Sequence, residues 1–171
     1  KVNIAEVLSK EMKSPKIQGQ QIYISTVTDP YQPAEAKYKL TRKILEVLVN
    51  YRNPVSILTK SALVWRDLDL LKKMKKVDVN FTITTLNENW KKVTEPCSSS
   101  AKQRLETARK LTQEGISVYA MMGPYWPRFT NPEVLFKEFK KVGIKKVFTE
   151  SFNTVGGNWT GVDKILQKKY P

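Results

Sequence analysis

The stretch Thr26-Val27-Thr28-Asp29-Pro30-Tyr31-Gln32-Pro33-Ala34-Glu35 has the residue types of a functional loop. Two prolines stiffen a segment that carries two carboxylates, threonine hydroxyls and an aromatic ring. It can be read as a Pro-capped turn, but such a turn needs neither Asp29 nor Glu35 beside Tyr31. A second candidate is Thr59-Lys60-Ser61. A lysine there can serve as a Schiff-base nucleophile, a phosphate ligand or a solvated charge. Thr82-Ile83-Thr84-Thr85 offers hydroxyls suited to a ribose or a carboxylate, although threonine is also simply a good strand former. In Met121-Met122-Gly123-Pro124-Tyr125-Trp126-Pro127, Gly123 lets a backbone come close, and the aromatic rings either stack on a ligand or plug the fold. Arg104 can meet a carboxylate or face solvent from its helix. Arg66 and Asp67 read as surface or capping pairs.

Composition removes several chemistries. The chain has no histidine, so a Ser-His-Asp set, a Cys-His set and any His-ligated metal are excluded. Cys97 is the only cysteine, so there is neither an internal disulfide nor a multi-cysteine metal site. That usage suits a reducing, cytoplasmic interior. Asn80-Phe81-Thr82 and Asn158-Trp159-Thr160 match the glycosylation pattern without other signs of secretion. No apolar run approaches the ~18–20 residues that cross a bilayer. The 30 Lys and Arg against 16 Asp and Glu give a net charge of +14, which suits a polyanion such as nucleic acid or a lysine-coated surface.

The elements that must carry these residues follow from periodicity. Ile4, Val7, Leu8 and Met12 share one helical face. Ile22–Val27, Val55–Thr59, Val77–Thr85, Ile116–Met122 and Lys146–Glu150 read as strands. Between them, helical patterns run through Leu40–Leu48, Leu63–Met74, a segment capped by Ser98–Ser100 and closed by Gly115, and a segment opened by Asn131-Pro132-Glu133 and closed by Gly143. Val162–Lys168 forms a last helix. Strands joined by helices must pair in parallel, which gives an α/β domain spanning 1–171. A doubly wound sheet and a barrel both satisfy the order, and both bind ligands at the carboxyl ends of the strands. The chemically loaded segments all fall there.

Taken in order, Ile24–Glu35 with Leu40-Thr41-Arg42, Thr59-Lys60-Ser61 with Arg66-Asp67, Thr82–Thr85, Glu95-Pro96 and Arg104-Leu105 resemble the radical S-adenosylmethionine proteins related to spore photoproduct lyase, the DNA repair photolyase-like group. The resemblance runs from Val2 to about Phe152. It implies a partial (βα)6 TIM-like barrel whose first strand leads into a three-cysteine loop holding a [4Fe-4S] cluster. The cluster binds S-adenosylmethionine, and an electron donor drives cleavage to a 5′-deoxyadenosyl radical. The resemblance places Asp29 and Glu35 toward the methionine amino group, with Thr28 of the same loop among the cofactor-binding candidates, and Thr82, Thr84 and Thr85 at the ribose. Arg104 goes to the methionine carboxylate, the backbone of Met122 and Gly123 to the adenine, and Lys60 and Ser61 to the same mouth. The first strand and the cysteine loop are missing, Lys1 leads straight into a helical pattern, and Cys97 has no assigned role. The expectation is therefore an inactive fragment of a radical enzyme, its substrate open and nucleic acid a candidate. Two alternatives stay open: a basic nucleic-acid-binding module, and a barrel enzyme that uses Lys60 as a Schiff-base lysine.

Overall fold

The computed structural model describes residues 3–25, 27–154 and 157–169. Thr26, expected at the end of the first strand, and Val2, where the resemblance begins, lie outside them. Five parallel strands form one sheet: β1 (Ile22–Ile24), β2 (Val55–Thr59), β3 (Val77–Thr82), β4 (Ser117–Met121) and β5 (Val147–Phe148). Their spatial order equals their chain order. A doubly wound sheet reverses direction at a switch point, and this sheet has none. Right-handed crossovers with no reversal put every helix on the same side, the arrangement of a barrel wall. The expected α/β fold of parallel strands is thus present. The sheet stays open, because β1 and β5 each have one strand neighbour among the described residues.

The two faces of the sheet differ because side chains alternate along a strand. Val55, Ile57 and Thr59 of β2, Val79 and Phe81 of β3, and Val118 and Ala120 of β4 are buried under the helices. The register aligns Ser56 with Asp78, Leu58 with Asn80 and Asn80 with Tyr119 on the opposite face, where no helix residue lines the cavity among the described residues. Against the buried face pack Leu45 and Leu48 of α3 (Leu40–Leu48), Leu70 and Leu71 of α4 (Leu68–Leu71), and Ala108 and Leu111 of α6 (Ala101–Gln113). α1 (Ile4–Glu11) lies beside α3 and ends at the buried Met12. Leu135 and Phe139 of α7 (Pro132–Lys141) close the far end of the core.

Local signals set the boundaries. Ser100 accepts from the Gln103 amide while the Gln103 side chain accepts from the Ser100 amide, a complete capping box for α6. Asn131 caps α7 with Pro132 in its first turn. The structure departs from the expected elements at five places. β1 stops at Ile24 because Ser25 turns to φ 76°, which no strand tolerates. A short α2 (Glu35–Tyr38) precedes α3 and is separated from it by Lys39 at φ 53°. The pattern Leu63–Met74 splits into a 3₁₀ helix, Ala62–Asp67, followed by the single turn of α4. An unforeseen α5 (Glu88–Thr94) follows β3, capped by Asn87, whose side chain accepts from two backbone amides. α8 (Asn158–Lys169) runs further forward than the expected Val162–Lys168. Among the described residues no helix is long and apolar enough to cross a membrane.

Candidate functional site

The loop after β1 is fixed by one carboxylate. Asp29 Oδ1 accepts from the Tyr31 amide at 2.8 Å and from Thr59 Oγ1 at 2.8 Å, and Asp29 Oδ2 accepts from the Lys60 amide at 2.6 Å. The residue therefore bolts its loop to the end of β2. Hydrogen bonds to an ionised acceptor are the strong kind, so the loop is held tightly for its length.

Behind the loop lies a buried ionic cluster. Glu35 accepts from the amides of Thr41 and Arg42 at the start of α3 and from Arg66 at 2.8 Å. Arg66 also binds Asp67, and Arg42 bridges Asp67 and Asp69. Tyr31 donates its hydroxyl to Asp67 at 3.1 Å. Asp67 is fully buried, so the expectation that Arg66 and Asp67 form a surface pair is corrected: the pair is the hub of a cluster that joins three elements. Burial and the neighbouring Asp67 carboxylate push the Tyr31 phenol well above its usual range. Hydrogen bonds to Asp69 and Asp67 raise Arg42, and those to Asp67 raise Arg66.

The mouth is charged by Lys60 and Glu95. Lys60 Nζ lies 3.0 Å from Glu95 Oε1, and Arg104 Nη2 lies 2.6 Å from Glu95 Oε2. Burial pushes the Glu95 carboxyl upward, but the guanidinium of Arg104 and the ammonium of Lys60 outweigh it and hold the group below the usual carboxylate range. Arg104 is 2% exposed and spends its other donors on the carbonyls of Thr82 and Ser99 and on the Ser98 hydroxyl. Lys60 keeps 38% of its side chain exposed. It is therefore the cation that the mouth presents to a ligand.

Two cavities of about 220 Å³ each flank Lys60. One is lined by Asp29, Lys60, Thr82, Gly123 and Glu150, and the other by Asp29, Tyr31, Ser61, Glu95 and Cys97. A larger apolar cavity of about 370 Å³ opens on the far side of Lys60, walled by Trp90, Trp126, Phe152 and α8. The backbone passes Glu150 at Gly123 so closely that a Cβ there would lie 2.5 Å from Glu150 Cγ and 3.1 Å from its amide nitrogen. Only glycine fits that crossing.

Of the residues singled out from the sequence, Asp29, Lys60, Ser61, Thr82 and Gly123 line these cavities. Thr28 lies exposed on the loop. Glu35, Thr84, Arg104 and Met122 are buried and line none of them, and Thr85 donates to the Phe129 carbonyl. Sequence reasoning gave no role to Glu95, Glu150 or Ser25, although Glu95 and Ser25 stood in the strings that carry the resemblance. The rule that places ligands at strand ends would have raised Glu150, two residues past the end of β5. No chemistry pointed to Glu95, which is positioned at the end of a helix that was not foreseen. Among the described residues, no group of three or more His, Cys, Asp or Glu side chains is placed to hold a metal ion.

Comparison with known proteins fits this geometry. The family model described as Radical SAM superfamily matches residues 3–134. An uncharacterized protein of Methanocaldococcus jannaschii is 40% identical over 139 residues, covering 81% of this chain and 53% of the relative. An uncharacterized protein of Acidianus two-tailed virus is 31% identical over 175 residues, covering 98% of this chain and 57% of the relative. This chain thus spans little more than half the length of these curated relatives. Among solved structures, a spore photoproduct lyase mutant superposes with a TM-score of 0.67 at 17% identity over 99% of this chain and 50% of its own. SuiB of Streptococcus suis gives 0.66 at 14% identity over 96% and 41%. These likenesses are to the fold. With its family match covering most of the residues that build the strand-end mouth, this chain belongs to the radical SAM superfamily.

Proposed function

We propose that this chain is the cofactor-binding part of a radical S-adenosylmethionine enzyme, with the cofactor seated at the carboxyl-end mouth. One observation carries the reading: Asp29, Lys60, Thr82 and Gly123, from four successive strand ends, converge on a single cavity. The donor set suits the ligand. Lys60 offers an ammonium group to the methionine carboxylate, Thr82 a hydroxyl to the ribose, and the Gly123 backbone a flat edge to the adenine. Asp29 already accepts three hydrogen bonds, so it positions Lys60 and leaves negative charge facing the cofactor's ammonium and sulfonium. Arg104 works through Glu95, and Glu35 through α3 and Arg66. Thr28 and Ser61 rim the mouth, and Thr84 and Met122 support it from behind.

Bound beside a reduced cluster, S-adenosylmethionine supplies hydrogen-atom abstraction. A [4Fe-4S] cluster held by three thiolates does not fit this chain, which has Cys97 alone. In this reading the thiolates, and the contact with an electron donor, come from the part of the protein that these residues do not span. The substrate side of the proposal is nucleic acid. It is supported by the +14 charge and by the fold likeness to a spore photoproduct lyase structure described as having bound AdoMet and dinucleoside spore photoproduct.

Isothermal titration with S-adenosylmethionine tests the cofactor site. Lys60→Met should weaken binding about tenfold, the equivalent of one charge-assisted hydrogen bond. Binding to Lys60→Met as tight as to the wild type would overturn the assignment.

A further inference from the structure

The uncovered face of the sheet holds a cavity of about 490 Å³ below the mouth. It shares Ser25, Leu58, Met121 and Glu150 with the cofactor cavity, so the two abut. Its floor is polar by construction. Asp78 Oδ2 accepts from Ser56 Oγ at 2.6 Å and from Asn80 Nδ2 at 2.6 Å, and Asn80 Nδ2 also reaches Ser56 Oγ and the Ile57 carbonyl. A carboxylate and a carbonyl only accept, so the amide nitrogen of Asn80 must face them and its Oδ1 must face away. Asn80 is 9% exposed, yet its Oδ1 takes no hydrogen bond from the described residues, and neither does Asp78 Oδ1. Both oxygens are thus open acceptors on the cavity floor, which suits a ligand with N–H groups.

Aromatic rings stand beside those oxygens. Tyr23, Tyr119 and Phe148 line the cavity, with Tyr119 and Phe148 edge-to-face at 6.2 Å between centroids. Rings beside an acceptor floor select a planar ligand. The basic residues lie at the amino ends of the strands. Lys72, Lys73, Lys75 and Lys76 lead into β3, and Lys140, Lys141, Lys145 and Lys146 lead into β5, all of them exposed. Lys146 Nζ sits 5.2 Å from the Tyr119 ring centroid, which joins this rim to the cavity.

We propose that this face takes one nucleobase bearing an exocyclic amine, extruded from a single nucleic-acid strand whose phosphates run along the amino-end lysines. Asp78 and Asn80 accept from the amine edge, and the tyrosines hold the ring. Thymine is rejected, because its two carbonyl oxygens would meet the two acceptors. The inference rests on the nucleic-acid part of the proposed function and does not require the cofactor.

The test is fluorescence anisotropy of labelled oligodeoxycytidine and oligodeoxythymidine with the 171-residue chain. The cytidine oligomer should bind about tenfold more tightly, the lower end of the discrimination a good base contact gives. Asp78→Asn keeps the size of the side chain and turns an amide nitrogen toward the cavity. The variant should bring the cytidine-to-thymidine ratio to about one or below, while total affinity rises or holds with the lost negative charge. Equal affinity for the two oligomers in the wild type, or a preference that Asp78→Asn leaves intact, would sink the proposal. S-adenosylmethionine titration of the wild-type chain separates the two sites: cofactor binding by a wild type that shows no base preference removes the base site and leaves the cofactor site standing.

Discussion

Glu95 carries the most exposed consequence at the scale of single residues. Its carboxyl is held below the usual range, so it stays ionised in the folded chain at a pH where an unfolded glutamate takes up a proton. Protons then bind the unfolded state more readily. The stability it contributes is fully present above about pH 4.5, and is lost as pH falls through the depressed folded value. Glu95→Gln leaves the Arg104 charge buried without a counter-charge, and should cost about 3 kcal/mol at neutral pH. Chemical denaturation followed by circular dichroism at neutral pH and at about pH 3 should find the gap to wild type narrowing in acid. A gap independent of pH would remove the carboxylate from the account.

At the scale of elements, the crossing of the β4 loop over the end of β5 is decisive. Gly123→Ala drives a methyl into Glu150, both its Cγ and its backbone. Overpacking of this kind typically costs about 1–3 kcal/mol. Trimming the obstacle separates the two contacts: Gly123→Ala with Glu150→Ala should recover most of the loss in thermal unfolding, because the Cγ contact at 2.5 Å is the more severe. The elements themselves were largely legible. β2 emerged at its expected limits, since a β-branched run between Pro54 and Lys60 allows little else, and α7 announced itself through Asn131-Pro132. α5 was not legible, because Glu88–Thr94 has no clear apolar stripe and is anchored by one tryptophan. Trp90 is fully buried and stacks on Phe129 at 3.7 Å between centroids. One buried aromatic residue in a seven-residue helix leaves no period in a sequence.

At the scale of the whole molecule, the parallel sheet ends at β1, whose outer edge has no strand partner among the described residues and whose Tyr23 is 68% exposed. Open edges of this kind pair with other chains. The 171-residue chain should therefore self-associate with rising concentration in sedimentation velocity, and Tyr23→Lys should suppress the larger species; association untouched by that change would place it elsewhere on the surface. The gross architecture could be read because alternating strands and helices admit few topologies. The site could be read only in part, since strand-end position and residue type identify a mouth but not which side chains turn away from it. Arg104 and Glu35 have the chemistry of ligand-binding groups, and the fold turns both inward.

Glu95 stands between two cations of different mobility. Arg104 is locked in place by backbone carbonyls, whereas Lys60 reaches in from the open mouth. An incoming carboxylate can draw Lys60 away, and Glu95 still keeps a fixed counter-charge. The mouth can thus lend out its lysine and take it back without stranding a charge in the interior. In the proposed reading, the fixed Arg104 is what makes that exchange reversible.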